Sequence, residues 1–153
     1  MDLSGSNIDN LGPVLKFKKI VSLYFDQTDV MDLSPLADIK TLVKITGRNT
    51  KVTSLQPLAN LTNLESADFR NSPIASIAQL SGLENLKYLN VDHADISEDE
   101  VIRAVYKNPN LNVIFRSIEL ERWWDSLDEN WKSIGFRRTA DHDFVQDPDF
   151  PIL

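Results

Sequence analysis

Apolar residues in this chain recur on a 22-residue step. Leu64-x-x-Ala67-x-Phe69 returns as Leu86-x-x-Leu89-x-Val91, and the residues upstream fall into the same register. Met1, Leu23, Ile45, Ala67 and Leu89 form one column, and Leu3, Phe25, Gly47, Phe69 and Val91 the next. Ile8, Val30, Val52, Ile74 and Ile96 align, as do Leu11, Leu33, Leu55 and Ile77. Three further columns run Val14-Leu36-Leu58-Leu80, Phe17-Ile39-Leu61-Leu83 and Ile20-Leu42-Leu64-Leu86. A fixed period of this length predicts a solenoid, because one such unit buries its apolar face only by stacking on its neighbours.

Inside each repeat the apolar spacing changes. Leu23-x-Phe25 and its equivalents alternate with period two, which predicts a short strand with one face inward. Ile74, Ile77, Leu80, Leu83 and Leu86 then come at every third residue, the spacing of a 3₁₀-like or extended return arm. Pro13, Pro35 and Pro57 occupy equivalent points of that arm, with Gln79 in the fourth. Proline fixes φ and has no amide to donate, so it belongs on the arm and not in the sheet. The expected fold class is therefore α/β: a solenoid of short parallel strands on the concave side, with 3₁₀ or irregular arms on the convex side.

The run Leu55-Gln56-Pro57-Leu58-Ala59-Asn60-Leu61-Thr62-Asn63-Leu64 resembles the 22-residue leucine-rich repeats of bacterial internalin-type proteins. The resemblance covers roughly residues 1 to 96 and implies a solenoid that recognises proteins, with partners differing widely across the family. The family's usual asparagine before the Ile column is replaced here by Ser6, Thr28, Thr50, Ser72 and Ala94. Hydroxyls donate and accept, so a Ser/Thr ladder is expected to link rungs, with Ala94 needing another solution. Gly47 leaves a gap between Phe25 and Phe69 in its column, and the two rings are expected to lean into it.

After Ile96 the period breaks. Ser97-Glu98-Asp99-Glu100 reads as a capping box, with Ser97 capping a helix near 98–107 and Glu100 reaching back to it. Leu111-Asn112-Val113-Ile114-Phe115 resumes the strand pattern, making the last repeat longer, from 86 to 111. The solenoid is thus expected over 1–117, regular to about 96. Leu120, Trp123, Trp124, Leu127, Trp131 and Ile134 share one helical face and predict an amphipathic C-terminal capping helix over 118–136. The three tryptophans could instead form an exposed binding cluster; the cap is the favoured reading. Residues 137–153 read as an acidic irregular tail with Phe144, Phe150 and Ile152 as anchors, and the whole as a single domain. At the other end Met1 and Leu3 already occupy strand columns, so the first rung presents an open edge. That edge is expected to meet an upstream continuation, a partner or a second copy.

Charge narrows the function classes. Among 153 residues, 16 basic stand against 23 acidic ones, a formal net charge of −7. Such a balance repels phosphate backbones and anionic lipid, so neither nucleic acid nor membrane is the expected partner. There is no cysteine, which removes disulfides, thiolate metal sites and thiol nucleophiles. The start lacks the basic and apolar regions of a signal peptide; the chain reads as cytoplasmic if complete and as secreted or surface-located if a signal was trimmed. Asp92-His93-Ala94-Asp95 and Asp141-His142-Asp143 each offer one histidine, short of the three or four convergent ligands a metal needs, and read as solvated. No phosphate loop or nucleophile elbow is present, and no catalytic, metal or cofactor site is expected.

Alternation leaves three rows outward on the concave face. They are Asp2, Tyr24, Thr46, Asp68, Asn90 and Phe115; Ser4, Asp26, Arg48, Arg70, Asp92 and Ser117; and Ser22, Lys44, Ser66, Tyr88 and Val113. The expected site comprises Tyr24, Asp26, Lys44, Thr46, Arg48, Asp68, Arg70, Tyr88, Asn90 and Asp92, with the tyrosines and arginines as anchors, weighed against a merely solvated sheet face. The sequence thus predicts a non-enzymatic protein-interaction module. Its alternatives are an acidic inhibitor or immunity-type protein masking a basic partner, and an assembly element pairing through the first edge.

Overall fold

The computed structural model describes residues 1–17 and 19–116, together with the backbone of two short strands at 136–138 and 144–146. Five three-residue strands, β1 (Ser22–Tyr24), β2 (Lys44–Thr46), β3 (Ser66–Asp68), β4 (Tyr88–Asn90) and β5 (Asn112–Ile114), form one parallel sheet in sequence order. Leu23, Ile45, Ala67 and Leu89 pair in register, one rung above the next. Residues 1–5 add a partial rung: Leu3 N–H donates to Tyr24 O at 2.7 Å and Tyr24 N–H to Met1 O at 3.0 Å.

Each return arm carries a 3₁₀ turn: η1 (Gly12–Lys16), η2 (Ser34–Leu36), η3 (Gln56–Leu58) and η4 (Ala78–Leu80). A second periodic signal starts them. Asn10, Asp32, Ser54 and Ser76 each accept, through a side-chain oxygen, the amide two residues ahead, at 2.8 to 3.3 Å. These are the Asx and Ser turns that such residues favour at chain reversals. The Asp32 carboxyl is held below its ordinary range by the hydroxyl and amide of Ser34.

The core is the set of columns themselves. From Leu23 to Ile96 every apolar column position is buried, each large aliphatic side chain contributing about 1.5–3 kcal/mol on burial. The first rung departs from the pattern: Phe17 is 53% exposed although Ile39, Leu61 and Leu83 of its column are buried. It has rungs on one side only, so half of the enclosure that buries its equivalents is missing.

The linkage between rungs differs from the expected hydroxyl ladder. Thr28 and Thr50 hydroxyls donate to carbonyls three residues back in their own turns, at 2.7 and 2.8 Å, and Ser6 does the same to Leu3. Only Thr50 and Ser72 meet across rungs, at 3.0 Å. At Ala94 the turn is closed by its amide on Val91 O at 3.0 Å, as the amides of Ser6 and Ser72 also close theirs, without a hydroxyl bond beside it. Amides of another column do most of the bridging. Asn63 Nδ2 donates to Lys40 O and Asn85 Nδ2 to Thr62 O, both at 2.8 Å, and Asn108 Nδ2 donates to Leu86 O at 2.8 Å. Hydroxyls cross rungs at two further places: Thr41 Oγ1, in the column of Asn63 and Asn85, donates to Ile20 O at 2.7 Å, and Ser72 Oγ donates to Gly47 O at 2.9 Å.

Helix α1 (Glu98–Lys107) occupies the last repeat and buries Val101 and Ala104. Ser97 Oγ caps it by accepting from Glu100 N–H at 3.3 Å, but the expected return of Glu100 to Ser97 is not what forms. Glu100 Oε1 instead accepts from the Ile77 and Ala78 amides, each at 2.8 Å, and from the Ser76 hydroxyl. Three donors at the head of η4 outcompete the single amide of Ser97. Burial works to raise the Glu100 pKa, yet these bonds and Arg103 outweigh it, so the carboxyl ionises below its ordinary range. A carboxyl with a depressed folded-state pKa stabilises above its unfolded value, about 4.3, and loses that contribution as pH falls through the folded value. Glu100→Gln should therefore cost about 1–2 kcal/mol at pH 7. In urea titrations the gap from wild type should narrow progressively below pH 4; a gap that is constant down to pH 2 would contradict the assignment.

The long repeat ends with a register change. Tyr88 pairs with Asn112, Leu89 with Val113 and Asn90 with Ile114. Counted from Leu111, alternation points Val113 and Phe115 outward; instead Val113 continues the inward column, and both pack against the core. One residue fewer separates β4 from β5 than separates Leu86 from Leu111, so every β5 side chain moves to the other face. The expected capping helix over 118–136, with its tryptophans, lies outside the described residues except at Phe136, which opens strand β6 (Phe136–Arg138). Strand β6 pairs antiparallel with β7 (Phe144–Gln146), which corrects the irregular tail at those positions. Two β-favouring stretches, Phe136-Arg137-Arg138 and Phe144-Val145-Gln146, are near enough in sequence to pair locally. Ser117, His142, Phe150 and Ile152 lie outside the described residues.

Candidate functional site

Strand alternation delivers the predicted side chains to one face. Tyr24, Thr46, Asp68 and Asn90 make its central row, flanked by Lys44 and Tyr88 on one side and by Asp26, Arg48, Arg70 and Asp92 on the other. The row after each strand is held by a tight turn: Gln27, Asn49, Asn71 and His93, one per rung, have φ of 56°, 53°, 58° and 66°. Asn and His tolerate this left-handed region better than most residues. The recurring Asn49 and Asn71, whose amides meet at 3.1 Å, are a signal that the apolar columns do not carry.

The face divides into buried supports and exposed handles. Thr46, Asp68 and Asn90 are only 1 to 3% exposed, although all three point outward from the core. Neighbouring strands lie about 4.8 Å apart, so long side chains on the flanking rows close over short ones in the middle. Asn90 Nδ2 donates to Tyr88 Oη at 3.3 Å, and Asn90 Oδ1 accepts the Asp92 amide at 3.0 Å. Thr46 Oγ1 is buried without a hydrogen-bond partner among the described residues. Lys44 is exposed, its ammonium 5.8 Å from the centre of the Tyr24 ring, within cation–π range.

Asp68 is the electrostatic centre. Its Oδ2 accepts from Arg48 Nε at 2.9 Å and from an Arg70 terminal nitrogen at 2.9 Å, while its Oδ1 accepts from Arg70 Nε at 3.2 Å. Arg70 is thus held in a bidentate fork and Arg48 by one bond, with Asp26 a further 3.8 Å from Arg48 Nε. Hydrogen bonding to Asp68 raises the Arg70 pKa against the opposing effect of burial, and Tyr88 adds to it. Both arginine side chains remain 41% exposed, whereas the Asp68 side chain is 4% exposed. Arg48 uses only Nε, so its two terminal nitrogens have no partner among the described residues.

Other sequence candidates do not converge. His93 is exposed and sits 3.5 Å from Asp92 Oδ2 as a surface pair. Among the described residues no group of three or more His, Cys, Asp or Glu could hold a metal ion, and no helix is long and apolar enough to cross a membrane.

Solved structures resemble this arrangement. An internalin (inlF) from Listeria monocytogenes is 27% identical, over 73% of this chain and 32% of its own, with a TM-score of 0.67. Internalin C2 (inlC2) from the same species is 28% identical, over 74% of this chain and 50% of its own, with a TM-score of 0.70. A leucine-rich-repeat protein from Leptospira interrogans, 21% identical over 75% of this chain and 30% of its own, has a TM-score of 0.68 and speaks to the fold alone. The chain spans half or less of the length of each. No protein-family model and no curated protein matches it.

Proposed function

We propose, taking the chain as the internalin-type leucine-rich-repeat protein that its repeats and structural likenesses make it, that it is a non-enzymatic module which binds a partner protein through the concave strand face. The observation that carries this reading is the division of that face. Tyr24, Lys44, Arg48, Arg70 and Tyr88 stand over a floor of Thr46, Asp68 and Asn90 that is 1 to 3% exposed. Arg48 and Arg70 are bonded to Asp68 and Tyr88 to Asn90, and handles fixed from below in this way lose little side-chain freedom on binding, a cost that otherwise subtracts from affinity. Tyrosine and arginine are also the residues most often found at the energetic centre of interfaces.

The direct test is affinity capture from the native source with wild type, a Tyr24→Ala/Lys44→Glu variant and a convex-side control, Met31→Lys. Neither concave substitution touches the Asp68 bonds, so the fold should persist. A partner retained by the control and lost by the concave variant supports the face; a partner held equally by all three excludes it. The alternative of an acidic body masking a basic partner rests on the net charge of −7. It would have to use another surface, since three cations meet two carboxylates at the middle of the concave face.

Assembly through the first rung is a second reading, favoured by the exposure of Met1, Leu15, Phe17 and Val21 at one end. Strand-to-strand pairing there is opposed by Asp2, whose Oδ1 already accepts the edge amide of Ser4 at 3.0 Å. A sedimentation mass that stays monomeric at high concentration would remove this reading.

A further inference from the structure

We infer that the concave face selects partners that present an acidic side chain, and that the Arg48–Arg70 pair is the subsite for its carboxylate. The inference rests on the concave-face reading and deepens it. On a chain of net charge −7, the middle of this face brings together Lys44, Arg48 and Arg70 against Asp26 and Asp68. Asp68 is the one of these that a partner cannot reach, being 4% exposed, and both of its oxygens are already occupied by the arginines. Three cations against two carboxylates leave an excess of one positive charge, and with Asp68 out of reach the groups a partner can bond there are the guanidinium and ammonium donors and the partly exposed Asp26.

The geometry supplies more than charge. Two guanidiniums on successive rungs are pinned to one buried carboxylate, which offsets their mutual repulsion and fixes the planes of their forks. Among the described residues the Arg48 side chain bonds only through Nε, so its two terminal nitrogens form the paired edge that a carboxylate accepts bidentately. Lys44 stands on the same face of β2, two residues from Thr46, whose hydroxyl beneath has no hydrogen-bond partner among the described residues. Flanking acids at the ends of the row, Asp26 on the rung before and Asp92 on the rung after, confine the favourable position to the two central rungs. A single Asp or Glu side chain fits that width, whereas a continuous acidic tract would meet Asp26 and Asp92.

A displayed library of random dodecapeptides, selected on the full chain, tests this. Selected peptides should carry at least one Asp or Glu whose replacement by Asn or Gln weakens binding tenfold or more. Arg48→Gln/Arg70→Gln should weaken the same peptides at least tenfold and Arg48→Lys, which keeps charge but loses the fork, by less. Raising salt from 50 to 500 mM should also weaken them. Each variant is to be matched to wild type by its unfolding midpoint, and the single Arg48→Gln substitution serves if the double variant does not fold. Peptides that compete through Tyr24→Ala-sensitive contacts but need no acidic residue would overturn this inference and leave the concave face standing. Peptides indifferent to Tyr24→Ala, Lys44→Glu and the arginine variants alike, or no selected peptides at all, would overturn both.

Discussion

Gly47→Leu is expected to destabilise the chain by about 1–3 kcal/mol or somewhat more, the usual cost of overpacking a filled core. The glycine is not needed for its backbone, since Gly5 is the glycine with positive φ among the described residues. It is needed for space. A Cβ at this position would lie 2.5 Å from Phe25 Cζ and 3.0 Å from Phe69 Cε1. The two rings pack edge to face across the gap, with centroids 6.3 Å apart and planes at 62°. Both are fully buried, so neither can swing into solvent to make room.

The companion substitution makes the result diagnostic. Phe25→Leu alone should cost about 1–2 kcal/mol by opening a small cavity. Combined with Gly47→Leu it should recover part of the loss, because the shorter side chain vacates the contested volume. A coupling of at least 1 kcal/mol in a urea-denaturation cycle is expected for side chains that share one cavity. Additive effects, or a neutral Gly47→Leu, would show that the rings do not fill the gap.

Asp68→Ala should be the most damaging polar substitution on the concave face, at about 2–3 kcal/mol. It removes the acceptor for three charged hydrogen bonds and leaves two adjacent guanidiniums facing each other. The arginines are 41% exposed, so water restores part of their solvation and keeps the loss below that of a fully enclosed ion pair. Asp68→Asn preserves the volume but not the charge and should cost most of the same amount. Chemical denaturation gives the magnitude, and amide exchange should quicken first in β2 and β3, which the network spans. If Asp68→Asn matched wild type, the buried carboxylate would not be what orders the arginines.

Much of this molecule is legible in its sequence, for a simple reason. A residue repeated at the same place in successive rungs meets its own equivalents, so the seven apolar columns predict the core and the strand positions, while the local capping signal at Ser97 predicts α1. Exceptions fall where repetition fails. Phe17 belongs to a core column but lacks a rung on one side, and Val113 follows a repeat whose altered length reverses the faces of β5. Glu100 fits a local capping rule, yet its carboxylate finds more donors on the preceding rung than in its own helix.

By itself, the sequence determined the period, the parallel register of the first four strands and which side chains leave the core. Those follow from local alternation and a constant step. Only the tertiary structure decided which outward residues remain available: Thr46, Asp68 and Asn90 are closed over, while Arg48 and Arg70 stay half open above them. That division depends on the distance between neighbouring rungs and on the length of the flanking side chains. A pattern along one strand holds no record of how the next strand's arginine crosses it.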